Sequence, residues 1–263
     1  MAKIHYISGL PRAGSTLLAN ILAQNPDIHT TPTSGCHDVL FGIKNNWDKL
    51  IEHQASKELA DTKNLRRVLE ATLNAYHDTD KPVIIDKGRG WGSMIEMIEF
   101  ITGEKAKILV PVRSINQILS SFEKLHRKKV ASGQQDGDYI RGQTVQGRVD
   151  MLLNNSNTVG LAYNRLRDVY QRGLGDRLHL IEFDALTHRS KEAMNAVYDF
   201  LGEPQFVHNF ERVEQSTHED DTVHGMDLHT IRQKVAPVED DSAEILGKEI
   251  TDKFSGSEFW RQK

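Results

Sequence analysis

The stretch that decides the fold is IHYISGLPRAGSTLL, residues 4–18. A run of strand-forming residues leads into a turn with glycines at Gly9 and Gly14, and leucines at helical spacing follow. The spacing from Gly9 to Thr16 equals that of the phosphate-binding pattern G-x-x-x-x-G-K-[ST], but Ser15 stands where that pattern has lysine. The stretch therefore predicts a strand, an anion-binding turn and a helix, with a positive charge supplied from elsewhere.

Length and composition limit the classes of protein to consider. A chain of 263 residues with 38% hydrophobic content can bury a full core, and we expect a single domain over residues 1–263. The net charge of -4 gives no reason to expect nucleic acid or an anionic membrane as partner. The apolar runs are too short to span a bilayer and no signal-peptide pattern opens the sequence, which predicts a cytoplasmic protein. One cysteine, Cys36, excludes an internal disulfide and a cysteine cluster for zinc.

Short β-branched runs alternate with longer amphipathic segments along the chain. Strands are predicted at 3–8, 82–86, 107–112 and 178–183. Helices are predicted at 15–24, 38–53, 65–76, 93–102, 115–128, 145–171 with a possible break, and 191–201. Because the strand runs are almost continuously apolar, we expect helices on both faces of the sheet. The pattern predicts an α/β three-layer sandwich with a central parallel sheet.

The turn after the first strand has the chemistry of an anion site. Backbone N–H groups and the positive end of the following helix point to one spot there. Arg12 lies inside the turn, followed by Ala13 and Gly14, and its planar guanidinium suits a terminal phosphate. Ser15 and Thr16 add hydroxyl donors. The turn therefore predicts a phosphate grip that needs no metal ion.

A second pattern lies in VPVRSINQILSSF, residues 110–122. Arg113 follows a predicted strand, at the sheet edge where parallel sheets bind ligands, and Ser121 comes eight residues later. Eight residues span about two helical turns, so both side chains can reach the same phosphate. The pattern predicts a second phosphate site.

The segment PVIIDKGRGW, residues 82–91, allows two interpretations. Asp86 at the strand end is similar to the acid that holds Mg²⁺ in P-loop kinases, whereas Lys87, the next residue, is a second candidate for the functional group. Because Ser15 replaces the lysine of the phosphate-binding pattern, nothing in the loop would neutralise the γ-phosphate of a kinase substrate. This favours Lys87 as the functional residue, with Asp86 orienting it.

These segments together resemble the sulfotransferases that use 3′-phosphoadenosine 5′-phosphosulfate (PAPS), nearest the tyrosylprotein and Golgi-type branch. The 5′-phosphosulfate loop of that family is similar to GLPRAGSTLL, and its 3′-phosphate site pairs an arginine with a serine eight residues later, as Arg113 and Ser121 do. The family lysine corresponds to Lys87. The resemblance implies PAPS as donor, 3′-phosphoadenosine 5′-phosphate (PAP) as product, no metal, and catalytic roles for Arg12 and Lys87.

The resemblance implies three further contacts with the nucleotide. Phe183, near the last predicted strand, corresponds to an aromatic residue that packs on adenine. Arg232 and Lys234 correspond to a basic residue that closes over the nucleotide from a long loop.

The catalytic base departs from the tyrosylprotein pattern. Those enzymes carry a glutamate after the first helix, but NPDIHTTPTSGCHDVLF, residues 25–41, contains none. His37 and Asp38 come a few residues later, and a histidine titrates near neutral pH, so His37 is the predicted base. Asp38 is an alternative base or the N-cap of the next helix. The acceptor need not be a tyrosine; carbohydrate, lipid, small-metabolite and protein acceptors all stay open.

Two polar segments interrupt the α/β pattern. Residues 131–143 predict a loop or lid, and residues 214–241 predict an extended excursion over the domain surface, of which 214–236 is a second candidate cover. Histidines and acids cluster in the excursion, but their spacing matches no zinc pattern, so no metal site is predicted.

The sequence therefore predicts transfer of a sulfuryl group from PAPS to a hydroxyl or amine acceptor. Two alternatives stay open: a P-loop small-molecule kinase that uses Asp86 and Mg²⁺, and a non-catalytic nucleotide-binding module. Nucleotide binding separates the first two: a sulfotransferase should bind PAP without a metal ion, whereas a kinase should need ATP with Mg²⁺.

Overall fold

A computed structural model of the protein describes residues 2–133, 141–224 and 228–262. The strands of this part of the chain are β1 (Lys3–Ile7), β2 (Ile28–Thr33), β3 (Val83–Lys87), β4 (Ile108–Val112) and β5 (Leu178–Glu182). They form one sheet in the order β2-β3-β1-β4-β5, and every neighbouring pair is parallel.

The helices cover both faces of this sheet. They are α1 (Ser15–Leu22), α2 (Cys36–Trp47), α3 (Ile51–Ala55), α4 (Thr62–Ala75), α5 (Ile95–Thr102), α6 (Ile115–Ala131), α7 (Val145–Leu153), α8 (Thr158–Gln171), α9 (Phe183–His188), α10 (Ser190–Leu201), α11 (Ser242–Leu246) and α12 (Lys248–Phe254). Helices α1 and α10 pack on one face around Ile7 and Ile85, and α4, α5, α6 and α8 pack on the other around Tyr6 and Val110. The predicted three-layer α/β sandwich is confirmed.

Complete burial explains why the central strands read as apolar runs. Every residue of β3 and β4 is buried, because helices cover both faces. The same burial extends to the two polar residues that end β3, Asp86 and Lys87.

The edge strand β2 was not predicted from the sequence. Its sequence, IHTTPT, carries three threonines and a proline instead of an apolar run. An edge strand tolerates this composition, because one side needs no ladder hydrogen bonds and proline cannot donate one.

Two element boundaries differ from the prediction. The predicted helix 38–53 is two helices, α2 and α3, whereas the possible break within 145–171 is confirmed between α7 and α8. The last strand ends at Glu182, so Phe183 is the first residue of α9 rather than the end of a strand.

Outside residues 225–227, the excursion 214–241 contains one short helical turn, Asp221–His224, and it is anchored to the sandwich. Asn20 on α1 is buried, and its Oδ1 accepts hydrogen bonds from the backbone N–H groups of Ser216 and Thr217. Residues 134–140 of the predicted loop 131–143 lie outside the described residues. No helix in the described part of the chain is long and apolar enough to cross a membrane.

Candidate functional site

The turn between β1 and α1 adopts the backbone conformation of an anion site. Gly14 has a φ of 89° and precedes the first residue of α1, and Arg12 has a φ of 60°. A Cβ on Gly9 would lie 2.4 Å from the backbone oxygen of Pro111, so the turn can approach β4 this closely only with glycine there. The N-terminus of α1 thus points its N–H groups at the carboxyl edge of the sheet.

A cavity of about 610 Å³ lies at this edge. The phosphate loop contributes Arg12, Gly14, Ser15 and Thr16 to its wall. The other predicted residues that line it are Lys87, Arg113, Ser121, Phe183, Arg232 and Lys234. Ala13, by contrast, is buried in the core beside the loop, so its backbone alone can serve a ligand.

The two predicted phosphate sites meet in this cavity. Arg12 Nε donates to Ser121 Oγ over 3.1 Å, across a sequence distance of 109 residues, and Arg113 Nη1 lies 3.4 Å from the backbone oxygen of Arg12. Burial lowers the pKa of both arginines, and each stays charged at neutral pH. Among the described residues, neither arginine forms a salt bridge with a carboxylate. Two half-buried guanidiniums beside a hydroxyl, neither in direct contact with a described carboxylate, suit the binding of an anion.

Phe183 lies against the second arginine. The Arg113 guanidinium stands 4.3 Å from the centre of the Phe183 ring, a cation–π contact. A Cβ on Gly14 would lie 2.8 Å from the same ring, so the phosphate loop and the ring are in close contact. The aromatic ring therefore borders the loop that would hold the phosphates.

Lys87 also contacts the phosphate loop, at Thr16. Its Nζ is 3.4 Å from Thr16 Oγ1 and 2.6 Å from Glu219 Oε1, and the residue is 4% exposed. Burial lowers the pKa of Lys87, while the hydrogen bond that Lys87 donates to Glu219 acts in the opposite direction. In register with Ile7, Lys87 faces the same side of the sheet as α1.

Asp86 points to the other face of the sheet. Its Oδ1 accepts a 2.7 Å hydrogen bond from Trp91 Nε1, and its Oδ2 lies 3.1 Å from His77 Nε2. Successive side chains of a strand alternate between faces, so Asp86 cannot orient Lys87. The expectation that Asp86 orients Lys87 is wrong, and Glu219 holds the lysine instead.

The predicted base residues lie beside the cavity wall rather than on it. His37 is in the first turn of α2, and its ring packs so closely on the turn after β3 that a Cβ on Gly90 would lie 1.9 Å from it. Asp38 Oδ1 is 3.5 Å from His37 Nε2, and the Asp38 side chain is 80% exposed. Neither residue lines the cavity.

The two C-terminal basic residues line the cavity from the excursion. Arg232 and Lys234 are both exposed, and Lys234 Nζ forms a 2.6 Å ion pair with Glu211. The excursion 214–241 therefore borders the cavity at these two residues.

Comparison with known proteins identifies the architecture. The model of the sulfotransferase family matches residues 6–207. The chain belongs to the sulfotransferase family. Mouse sulfotransferase SULT7A1 complexed with PAP is similar at a TM-score of 0.55 and 15% identity, over 99% of this chain and 87% of that chain. A sulfotransferase from Alicyclobacillus acidocaldarius gives a TM-score of 0.48 at 16% identity, over 86% of this chain and 89% of that chain. Comparison with curated protein sequences finds no match.

Next to the cavity, behind Lys87 and His229 of its wall, lies a group that sequence reasoning did not select. Glu219 contacts Lys87, and His229 links Glu219 to Asp221. The sequence showed only an acidic cluster in a polar segment, and nothing in its spacing pointed to a lysine 132 residues away.

Proposed function

We propose that this sulfotransferase moves a sulfuryl group from PAPS to a hydroxyl or amine acceptor. The observation that carries the proposal is the convergence of Arg12, Arg113 and Ser121 on one cavity, where neither arginine forms a salt bridge with a described carboxylate. A nucleotide with phosphates at both its 5′ and 3′ positions supplies the two anions that such a site needs.

The donor contacts follow from the two phosphate sites. The 5′-phosphosulfate would accept hydrogen bonds from the loop N–H groups, Ser15, Thr16 and Arg12, and the 3′-phosphate would contact Arg113 and Ser121. Phe183 lines the cavity beside the phosphate loop, which supports its proposed contact with adenine. A side chain at Gly14 would collide with the Phe183 ring.

The transfer itself is an in-line displacement. The acceptor oxygen or nitrogen bonds to sulfur while the bond from sulfur to the bridging oxygen breaks, leaving negative charge on the 5′-phosphate of PAP. Lys87 and Arg12 would stabilise this charge, the same electrostatic task that cations perform in phosphoryl transfer. Their buried, low-dielectric surroundings strengthen the effect.

The kinase alternative lacks support from the acid on which it depended. Asp86 is fully buried on the face opposite Lys87, hydrogen-bonded to Trp91 and beside His77, so it does not reach the phosphate loop.

Three further expectations stay predictions. They are that the protein is cytoplasmic, that the reaction needs no metal ion, and that the chain belongs to the tyrosylprotein branch.

Thermal unfolding with added nucleotides tests the proposal. We expect PAP to raise the melting temperature in the presence of EDTA, because a ligand at 100 times its Kd stabilises a fold by about 2.7 kcal/mol. AMP at the same concentration should give a smaller shift. Stabilisation by ATP with Mg²⁺ but not by PAP would overturn the proposal and favour a kinase.

A further inference from the structure

Three side chains of metal-ligating types meet in the core on the face of the sheet opposite Lys87. Cys36 begins α2, His77 follows α4, and Asp86 lies in β3. One ligand atom from each residue, the thiol sulfur, a ring nitrogen and a carboxylate oxygen, lies within 4.8 Å of the other two. None of the three residues lines the cavity at the phosphate loop, so this buried cluster is separate from the site of the proposed transfer.

The cluster is closed to solvent, and two of its polar atoms have no hydrogen bond. Cys36 and Asp86 are 0% exposed, and the side chain of His77 is 2% exposed. Asp86 Oδ1 accepts from Trp91 Nε1, but Asp86 Oδ2 and His77 Nε2, which are 3.1 Å apart, form no hydrogen bond with each other or with another described residue. An unpaired buried polar atom costs about 1–3 kcal/mol, so two such atoms side by side indicate a partner other than a protein group.

The hydroxyl of Tyr6 is a further unpaired polar atom on the same face of the sheet. Tyr6 lies opposite Asp86 in the register between β1 and β3, and residues paired in this way project their side chains to the same face. Tyr6 is 1% exposed, and its hydroxyl has no hydrogen-bond partner among the described residues. The core next to the cluster therefore also contains a neutral oxygen that lacks a partner.

The set of sulfur, nitrogen and oxygen donors determines which ions fit the cluster. Cysteine, histidine and aspartate bind Zn²⁺ at about 2.0–2.3 Å in tetrahedral sites, which places neighbouring ligand atoms roughly 3.5 Å apart. The 3.1 Å between His77 Nε2 and Asp86 Oδ2 is close to that spacing, and the 4.8 Å limit for the whole set requires only a small movement of the side chains. Mg²⁺ and Ca²⁺ prefer oxygen ligands throughout, so a thiolate and an imidazole favour zinc.

We propose that Cys36, His77 and Asp86 bind a structural Zn²⁺ ion. A thiolate and a carboxylate together balance the charge of the ion, which a fully buried site requires. A structural site has four ligands, and the Tyr6 hydroxyl is the candidate for the fourth. Binding releases the thiol proton of Cys36 to solvent, and no group is oxidised or reduced.

The ion would join three parts of the fold that are distant in sequence. It would tie the start of α2 and the chain that leaves α4 to the end of β3, one residue before Lys87. Metal binding of this kind contributes directly to folding free energy. The inference does not depend on the proposed function, because it involves neither nucleotide nor acceptor.

Metal analysis and the spectrum of a cobalt form test the site. The chain is produced without an affinity tag in medium that contains Zn²⁺ and purified without chelator, and its zinc content is measured by plasma mass spectrometry. A second preparation comes from cells grown with Co²⁺ in place of Zn²⁺. Because Cys36 is the single cysteine of the chain, a thiolate-to-cobalt charge-transfer band identifies its sulfur as a ligand without any substitution.

Two ligand variants and one matched control accompany these measurements. Cys36→Ser and His77→Gln each remove one ligand at little change in volume, and His208→Gln alters a buried histidine that packs against Tyr198 on the other face of the sheet. We expect about one zinc ion per chain in the unaltered protein and in the control, and at least tenfold less in each ligand variant. Removal of the ion by a chelator should lower the melting temperature of the unaltered protein but not that of Cys36→Ser.

Several results would overturn the site. One is folded, unaltered protein that carries less than about a tenth of a zinc ion per chain, where a structural site holds one. Another is a cobalt form without a thiolate band, whatever the zinc content. Zinc that persists in both ligand variants would place the ion elsewhere. If a ligand variant fails to fold, the metal content and cobalt spectrum of the unaltered chain decide.

The failure of this inference and that of the proposed function are distinguishable. A chain that binds PAP but holds no zinc overturns the zinc site and leaves the proposed function intact. A chain that holds zinc through Cys36 but does not bind PAP supports the zinc site and overturns the proposed function.

Discussion

Arg12 combines a strained backbone with a functional side chain. Its φ of 60° lies in the left-handed region that residues other than glycine seldom adopt, and its guanidinium donates to Ser121 and to the backbone oxygen of Leu228. Strain of this kind persists where the surrounding structure holds a functional group in place.

Replacement of Arg12 by alanine should weaken PAP binding by about 1.5–3 kcal/mol, the range for hydrogen bonds to charged groups. Stability should change little, because alanine and arginine carry the same backbone strain. Isothermal titration calorimetry measures the affinity, with Arg212→Ala as the control at an exposed arginine. Unchanged PAP affinity in folded Arg12→Ala protein contradicts the assignment.

Arg113 should decide the preference between nucleotides. We expect PAP to bind much more tightly than AMP, and Arg113→Ala should abolish most of that difference, because the guanidinium is the main cation of the proposed 3′-phosphate site. Parallel calorimetric titrations of both nucleotides measure the ratio. If the unaltered chain binds PAP and AMP equally, the 3′-phosphate site is not at Arg113.

Lys87 should act on the reaction more than on binding. Lys87→Ala should keep PAP affinity within a few-fold but slow transfer by about 10²–10³, the cost of removing one donor to a developing oxyanion. Single-turnover release of PAP from PAPS measures the rate, and PAP titration provides the binding comparison. A variant that loses affinity and rate in proportion would assign Lys87 to ground-state binding instead.

At the scale of elements, α1 and the excursion form one unit through Asn20. Its Oδ1 accepts from the backbone N–H groups of Ser216 and Thr217, and its Nδ2 donates to the backbone oxygen of Thr16. The helix that begins at the phosphate loop therefore also holds the segment that carries Glu219.

Asn20→Ala should lower the free energy of unfolding by about 2–4 kcal/mol, since several buried donors would lose their acceptor at about 1–3 kcal/mol each. It should also slow transfer, because the segment whose Glu219 contacts Lys87 loses its anchor. Urea unfolding measures the first effect. Asn209→Ala is the control, since the Asn209 side chain caps only the exposed N–H groups of Glu211 and Arg212, before the excursion begins. Equal stability of the two variants would show that Asn20 does not anchor the excursion.

At the scale of the whole molecule, two hydrophobic cores lie on either face of one sheet, and histidines are buried with them. His208 packs against the rings of Tyr198, Phe206 and Phe210. Burial lowers its pKa to about 4, with a weaker opposing effect from the backbone oxygen of Ile21. The fold therefore favours the neutral imidazole.

Stability should fall as the pH drops from about 6.5 to about 4. In that window the unfolded chain binds a proton at His208 that the folded chain does not, which lowers the free energy of unfolding by up to roughly 3 kcal/mol. His208→Phe should flatten this part of the curve, and urea unfolding at pH 7.5 and pH 5 measures it. An identical pH dependence in both proteins would show that His208 titrates normally in the fold.

The local sequence determined the central strands and the turn between β1 and α1, and it predicts the residues of two phosphate sites. Periodicity and turn chemistry are local signals, and the parallel topology brings successive strand ends to one edge of the sheet. For this reason the sequence predicts Arg12 for one phosphate site and Arg113 with Ser121 for a second, and the structure brings the three side chains to one cavity.

Only the tertiary structure decided which carboxylate contacts Lys87. Asp86 is adjacent to Lys87 in sequence but faces the opposite side of the sheet, whereas Glu219 reaches Lys87 from 132 residues away. The edge strand β2 was missed for a related reason, since its polar composition is set by its place at the margin of the sheet. The contact between Glu219 and Lys87 depends on how an irregular segment folds back over the sandwich, and such a path carries no periodic signal in the sequence.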